Sequence, residues 1–69
     1  MYDRTSLRKA AAAKGHYTYE ALAKHVGVSP ATAWRLWYGK VAPSAGVAHL
    51  VELAYGVTLA QLLQRKAAA

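Results

Sequence analysis

The side chains of this sequence that could do chemistry are mainly cations and aromatic rings, and several share the segment from Ser29 to Tyr38. Nine Lys and Arg residues stand against three acids in 69 residues, so the formal net charge at pH 7 is +6. This excess favours a polyanionic partner, because neutralising phosphates releases condensed counterions. The alternative is that the charge serves only solubility. A membrane surface fits less well, because the cations are scattered along the chain.

Residues 30–38 form an amphipathic pattern when they are placed on a helix at 100° per residue. The predicted buried side consists of Ala33, Leu36 and Trp37. The opposite side holds Ala31, Trp34, Arg35 and Tyr38, with Pro30 and Thr32 at its flanks. This outer face therefore combines two aromatic rings and one guanidinium with no carboxylate. Two alternatives stay open, namely that Trp34 packs on a loop or a partner subunit and that Arg35 is only a solvated charge.

Catalytic and metal chemistry find little support in the sequence. There is no Cys, which excludes disulfides and thiolate sites and fits a reducing compartment. The three His residues lack the spacing of a metal-ligand pair, so we expect no metal and no cofactor. Neither a Gly-rich phosphate loop nor a nucleophile paired with a base is present. The sequence therefore argues against an enzyme.

Five short helices are predicted to position these side chains, because the apolar spacing is helical throughout. Each helix follows a residue that can cap it. The capping residues are Asp3, Thr18, Ser29, Ser44 and Thr58. The glycines at predicted helix ends are Gly15, Gly39 and Gly56. The predicted fold is a compact all-α five-helix bundle, a single domain over residues 1–66 with a frayed tail at 67–69.

The same spacing predicts which apolar side chains form the core. These are Leu7, Ala10, Ala11, Leu22, Ala23, Val26, Val28, Ala33, Leu36, Trp37, Val47, Leu50, Val51, Ala54, Val57, Leu59, Leu62 and Leu63. The leucines at 59, 62 and 63 have an alternative role, because any of them left outside the bundle would form a surface for a partner.

The segment YEALAKHVGVSPATAWRLWY, residues 19–38, fits two short helices that cross steeply through a three-residue turn. Such a crossing needs a residue tolerant of positive φ at the corner, a small side chain where the backbones approach, and apolar plugs on both inner faces. The corner residue is Gly27 and the small residue is Ala23. The apolar plugs are Leu22, Val26, Val28, Ala33 and Leu36. The spacing predicts a helix-turn-helix.

Over nearly its whole length the sequence resembles the lambda repressor/Cro-like, or XRE-type, helix-turn-helix DNA-binding domains. The resemblance lies in LRKAAAAKGHYTYEALAKHVGVS from residue 7, WRLWYGK from residue 34, the Pro-Ser pair at 43–44, and AYGVTLAQLL from residue 54. It departs from the family by one extra residue at His16 and by Tyr19 in place of a common Gln. Trp37 stands where many members have a Glu paired with an Arg of the first helix, and we expect its ring to face a small residue near Ala11. Glu52 occupies a position that is usually small.

The resemblance implies that the helix at about 29–38 enters the major groove of double-stranded DNA. Arg35 is then the best candidate for reading bases, since its planar fork matches O6 and N7 of guanine. We expect Thr32 to bond a base or a phosphate. Apolar contact with a thymine methyl is the expected role of Ala31, and Trp34 is expected to pack on a sugar or a thymine methyl. The predicted phosphate contacts are Thr18, Tyr19, Tyr38, Lys40 and Ser44.

The function expected from this resemblance is that of a sequence-specific transcriptional regulator, a repressor or Cro-like protein of a phage or mobile element. We expect either a monomer or a homodimer that forms on DNA. The alternative is a protein-binding module, such as an antitoxin-like partner that also binds its operator. No apolar run reaches the roughly 20 residues that span a bilayer. The resemblance implies a cytoplasmic, nucleoid-associated protein of a bacterium or phage.

Overall fold

The computed structural model describes residues 1–65 and is all-helical over that range apart from one isolated bridge between Tyr2 and Arg65. Its five helices are α1 (Thr5–Ala13), α2 (Tyr19–Val26), α3 (Pro30–Tyr38), α4 (Ala45–Tyr55) and α5 (Leu59–Leu62). The prediction of a compact, all-α arrangement of five helices is therefore confirmed for these residues. The predicted tail at 67–69 lies outside them. None of the described helices has the length and apolarity needed to cross a membrane.

Hydroxyl side chains cap four of the five helices, as the sequence predicts. The oxygens of Thr18, Ser29, Ser44 and Thr58 each accept the backbone N–H three residues ahead, at 3.2–3.3 Å. The prediction for α1 is wrong by one residue, because Arg4 occupies the capping position and its side chain makes no capping bond. The Asp3 carboxylate instead accepts the backbone N–H of Thr5 at 2.9 Å, from one position further out.

The core is formed by one face of each helix together with Val57, which lies between α4 and α5. Its buried apolar members are Leu7, Ala11, Leu22, Ala23, Val26, Ala33, Leu36, Trp37, Ala48, Val51, Val57 and Leu62. The prediction was wrong for Leu50, Leu59 and Leu63, which are exposed, and it missed Ala48. The inner face of α4 is centred on Ala48 and Val51, which turns Leu50 outward. With only four residues, α5 buries one leucine alone, Leu62.

Residues 2–4, here called the N-terminal segment, lie across the end of α3. The backbone N–H of Tyr2 donates to the Gly39 carbonyl at 3.0 Å, and that of Asp3 donates to the Gln64 carbonyl at 2.7 Å. Arg4 donates from Nη2 to the Val41 carbonyl at 3.0 Å. The carboxyl-terminal end of α3 is therefore held by hydrogen bonds from a distant part of the chain.

Candidate nucleic-acid interface

The helix α3 is positioned mainly by α2. The contact between these two helices is more extensive than that between any other two of the described helices. The turn between them is residues 27–29. Gly27 has a left-handed φ of 86°, and its N–H and that of Val28 both donate to the Ala23 carbonyl, which ends α2. Ser29 then caps α3 and Pro30 takes its first position, where a missing N–H leaves no donor unpaired. Local sequence thus fixes the angle at which α3 is presented.

The inner and outer faces of α3 are those the sequence predicts. Ala33, Leu36 and Trp37 are buried, whereas Ala31 and Arg35 are exposed. Trp34 and Tyr38 keep 42% and 43% of their surface exposed, and their ring centroids lie 5.1 Å apart at an angle of 49°. One half of the outer face is therefore an aromatic pair, and the other half centres on a guanidinium.

A groove of about 200 Å³ runs between α3 and the segment that leads into α4. It brings together three predicted site residues, Thr32, Arg35 and Ser44, and its other walls include Val41, Pro43 and Val47. Thr32 is half-buried, and its Oγ1 accepts a hydrogen bond from the Ser29 hydroxyl at 3.0 Å. Arg35 is therefore the freer of the two polar side chains at this edge of α3.

The predicted phosphate contacts fall into two structural groups. Thr18 and Ser44 are exposed N-caps of α2 and α4, so their hydroxyls already accept backbone N–H groups. Tyr38 and Lys40 are exposed at and just beyond the end of α3. Tyr19 differs from these four, because it is half-buried and packs against the core. Its ring has a structural role that the sequence did not indicate.

Arg8 of α1 is a candidate residue that the sequence reasoning missed. Its Nε and Nη2 donate to the Trp37 carbonyl at 3.2 and 2.9 Å. Its Cζ lies 4.8 Å from the centroid of a Trp37 ring and 5.4 Å from that of Tyr38. The Trp37 ring is therefore covered by a cation from the first helix, in addition to any contact with small residues there. The unusual Trp at this position was the available signal.

Arg4 is a second residue that the sequence reasoning missed. Among residues 1–65, it is the charged residue whose side chain is buried. Only 4% of its surface is exposed, and burial lowers the pKa of its guanidinium, an effect that the nearby Tyr2 partly offsets. Within residues 1–65, its Nε and Nη1 are buried without a hydrogen-bond partner. A guanidinium in that state is unusual, because buried donors are nearly always paired.

A third group of polar side chains lies apart from the outer face of α3. His16 Nδ1 is 2.8 Å from the Tyr55 hydroxyl, and His25 Nε2 is 3.2 Å from the Ala54 carbonyl. The rings of His16 and His25 have centroids 4.8 Å apart. Burial raises the pKa of Tyr55. This cluster joins α2 and the loop before it to the end of α4.

Comparison of this chain with models of protein families, with curated proteins and with solved structures finds no match.

Proposed function

We propose that this chain is a sequence-specific double-stranded DNA-binding regulator, in which α2 and α3 act as a lambda repressor-like helix-turn-helix and α3 enters the major groove. The observation that carries the proposal is the outer face of α3. It projects Arg35 beside exposed apolar and aromatic side chains, and the α3 sequence contains no acid to repel phosphates. The net charge of +6 supplies the sequence-independent attraction that such a protein needs.

In this proposal Arg35 reads guanine through its fork of N–H donors. Ala31 and Trp34 supply apolar contact to thymine methyls and sugars in the major groove. Thr32 donates a hydrogen bond to a base or a phosphate of the DNA. The side chain of Thr32 is shorter and already bonded to Ser29, so Arg35 carries most of the hydrogen bonding to bases. Recognition therefore rests on one strong donor together with apolar contact and DNA shape.

Phosphate contacts would flank this face. The N-termini of α2 and α4, at Thr18 and Ser44, present backbone N–H groups and the positive ends of helix dipoles. Tyr38 and Lys40 extend the contacts beyond the end of α3. For Tyr19, only the edge of the ring left exposed can reach a phosphate, because the remainder packs on the core.

The test is a binding selection from a random duplex library, followed by affinity measurements on the enriched sequence and on a shuffled duplex at one salt concentration. We expect an enriched motif containing guanine. Arg35→Ala should weaken binding to that motif by about 1–3 kcal/mol, or about 5- to 160-fold, and relax the preference at that base. Arg35→Lys is the matched control, since it keeps the charge but lacks the planar fork, so it should also lose discrimination.

Two results would contradict the proposal in different ways. If both duplexes lose affinity equally in Arg35→Ala, then Arg35 contacts phosphate and does not read bases. If no motif is enriched, the protein is not sequence-specific. The symmetry of a motif also tests stoichiometry, because a palindrome with half-sites about one helical turn apart implies a homodimer on DNA.

Exposed leucines on α4, on α5 and just after α5 favour a second candidate function, that of an antitoxin-like protein-binding module. Leu53 is 71% exposed, and Leu50, Leu59 and Leu63 are 38–43% exposed. Exposed apolar side chains of this size are common at protein–protein interfaces. Light scattering on the chain and on Leu53→Ser separates the cases. A dimer that the substitution dissociates assigns Leu53 to self-association, whereas a monomer whose affinity for duplex DNA is the same in Leu53→Ser favours a different protein partner.

A further inference from the structure

A cleft of about 170 Å³ separates the start of α1 from the end of α3. Arg4 and Arg8 line it, together with Trp37 and Tyr38; its remaining walls are Tyr2, Asp3 and Thr5. The volume holds several water molecules and is therefore sufficient for a tetrahedral oxyanion. No residue of this cleft except Tyr38 belongs to the contacts that the sequence predicts.

The cleft contains a buried cation whose hydrogen bonds are incomplete. Only 4% of the surface of Arg4 is exposed. Its guanidinium donates one hydrogen bond, from Nη2 to the Val41 carbonyl. Its Nε and Nη1 have no acceptor among residues 1–65. Desolvated donors of this kind are expected to find an acceptor, and a charged acceptor satisfies a guanidinium best.

The charge around the cleft also favours an anion. Arg8 is held at its rim by two bonds to the Trp37 carbonyl, and Arg65 lies beyond Tyr2, with its Cζ 4.9 Å from that ring's centroid. The Asp3 carboxylate is the acid of the cleft, and it accepts bonds from the N–H and the hydroxyl of Thr5. Two guanidiniums line the cleft against one carboxylate, so an oxyanion gains net attraction there.

We propose that this cleft binds a phosphate group, with Arg4 and Arg8 as its ligands. The Tyr2 ring covers the Arg4 guanidinium, with its centroid 5.4 Å from Cζ, so that ring moves aside to admit the oxygens. Free phosphate and a phosphate of a nucleic-acid backbone share this chemistry. The cleft opens beside Tyr38 at the end of α3, a position that favours a phosphate of a nucleic-acid backbone. Binding of a backbone phosphate rests on the proposed function, whereas binding of free phosphate does not.

The first arm of the test uses the chain without DNA. The Nε–Hε NMR signals of Arg4, Arg8 and Arg35 are followed while sodium phosphate replaces sodium chloride at constant pH and ionic strength. We expect saturable shifts of the Arg4 and Arg8 signals, and no saturable shift for Arg35, which lines a different groove away from the Tyr2 ring. Arg4→Met should abolish the shift of Arg8, whereas Arg65→Met, which removes the same charge beside the same ring, should preserve it. Circular dichroism of both variants is the control for folding, and we expect both spectra to remain helical.

The second arm measures binding to a random-sequence duplex between 50 and 200 mM salt. If a backbone phosphate fills the cleft, Arg4→Met lowers the slope of log affinity against log salt by about 0.9 more than Arg65→Met does, a differential of about 3- to 4-fold over that range. Saturable phosphate shifts without this differential assign the site to a free anion. Phosphate shifts in a chain that binds no duplex would defeat the proposed function and leave the site standing. No saturable shift and equal slopes for the two variants would overturn the site.

Discussion

Gly39 offers the sharpest test of how the N-terminal segment meets α3. It ends α3 with a left-handed φ of 65°, and a Cβ at this position would lie 2.5 Å from the Tyr2 carbonyl oxygen and 3.1 Å from Cγ of Arg4. The first of these atoms is backbone and cannot rotate away. Gly27 and Gly56 have similar φ values of 86° and 73° with open space at the Cβ position. Alanine at Gly27 or Gly56 therefore introduces backbone strain alone, whereas alanine at Gly39 introduces the same strain and a steric clash.

The magnitudes follow from those two terms. Alanine in the left-handed region is disfavoured by about 1–2 kcal/mol, so Gly27→Ala and Gly56→Ala should each lower the free energy of unfolding by that amount. Gly39→Ala carries the same strain and also displaces Tyr2, which breaks its 3.0 Å bond to the Gly39 carbonyl. Loss of that bond and disturbance of the neighbouring Arg4 contact should add about 1–3 kcal/mol.

The assay is urea unfolding followed by circular dichroism, with thermal unfolding as a second measure. Each kcal/mol should lower Tm by about 4–8 °C in a chain of this size, so the excess in Gly39→Ala is readily resolved. If all three variants unfold at the same urea concentration, the N-terminal segment does not lie on Gly39. The contact between the N-terminal segment and Gly39 would then contribute nothing to stability, whatever the absolute values.

Three further predictions concern other parts of the molecule. Burial raises the pKa of Tyr55, so the stability this group contributes is present below pH 10 and is lost as pH rises through the raised value. Tyr55→Phe should flatten the fall in urea midpoint above pH 10, whereas Tyr17→Phe, at a site 72% exposed, should leave it unchanged; equal curves would refute this. Lys40→Ala should weaken cognate and random duplexes alike and lower the salt slope by about one, and an unchanged slope would remove Lys40 from the contacts. Ser29→Ala removes the cap of α3 and should lower the free energy of unfolding by about 1 kcal/mol in urea titrations; an unaltered midpoint would show that the cap contributes nothing.

The parts of the fold that sequence predicts well are those set by neighbouring residues. Hydroxyl caps at Thr18, Ser29, Ser44 and Thr58 each act within three residues, and glycine ends a helix through its own φ. The outer face of α3 was predictable for the same reason, because helical spacing alone separates Arg35 from Leu36 and Trp37.

The parts that sequence did not predict depend on distant contacts. Nothing near Arg4 in the chain indicates that it is buried, because its partner Val41 lies 37 residues away. Arg8 reaches the end of α3 across 29 residues for the same kind of reason. The leucines at 59 and 63 have suitable spacing for a core. However, α5 has only four residues and turns a single leucine, Leu62, toward the core, so Leu59 and Leu63 stay exposed.

The N-terminal segment reaches the end of α3 from far along the chain, and this distance affects the order of folding. The contacts of α2 with α3 close a turn of three residues, whereas the bond from Arg4 to Val41 closes a loop of 37 residues. Long loops close late because they lose more chain entropy before they gain contacts. We therefore expect α2 and α3 to be packed together in the folding transition state. The ratio of a mutation's effect on the folding barrier to its effect on stability should then be high at Ala33 and near zero at Arg4. In the native protein the Tyr2 amide should exchange with solvent through a smaller opening than the Ala33 amide, so the molecule would begin to unfold at its first residues.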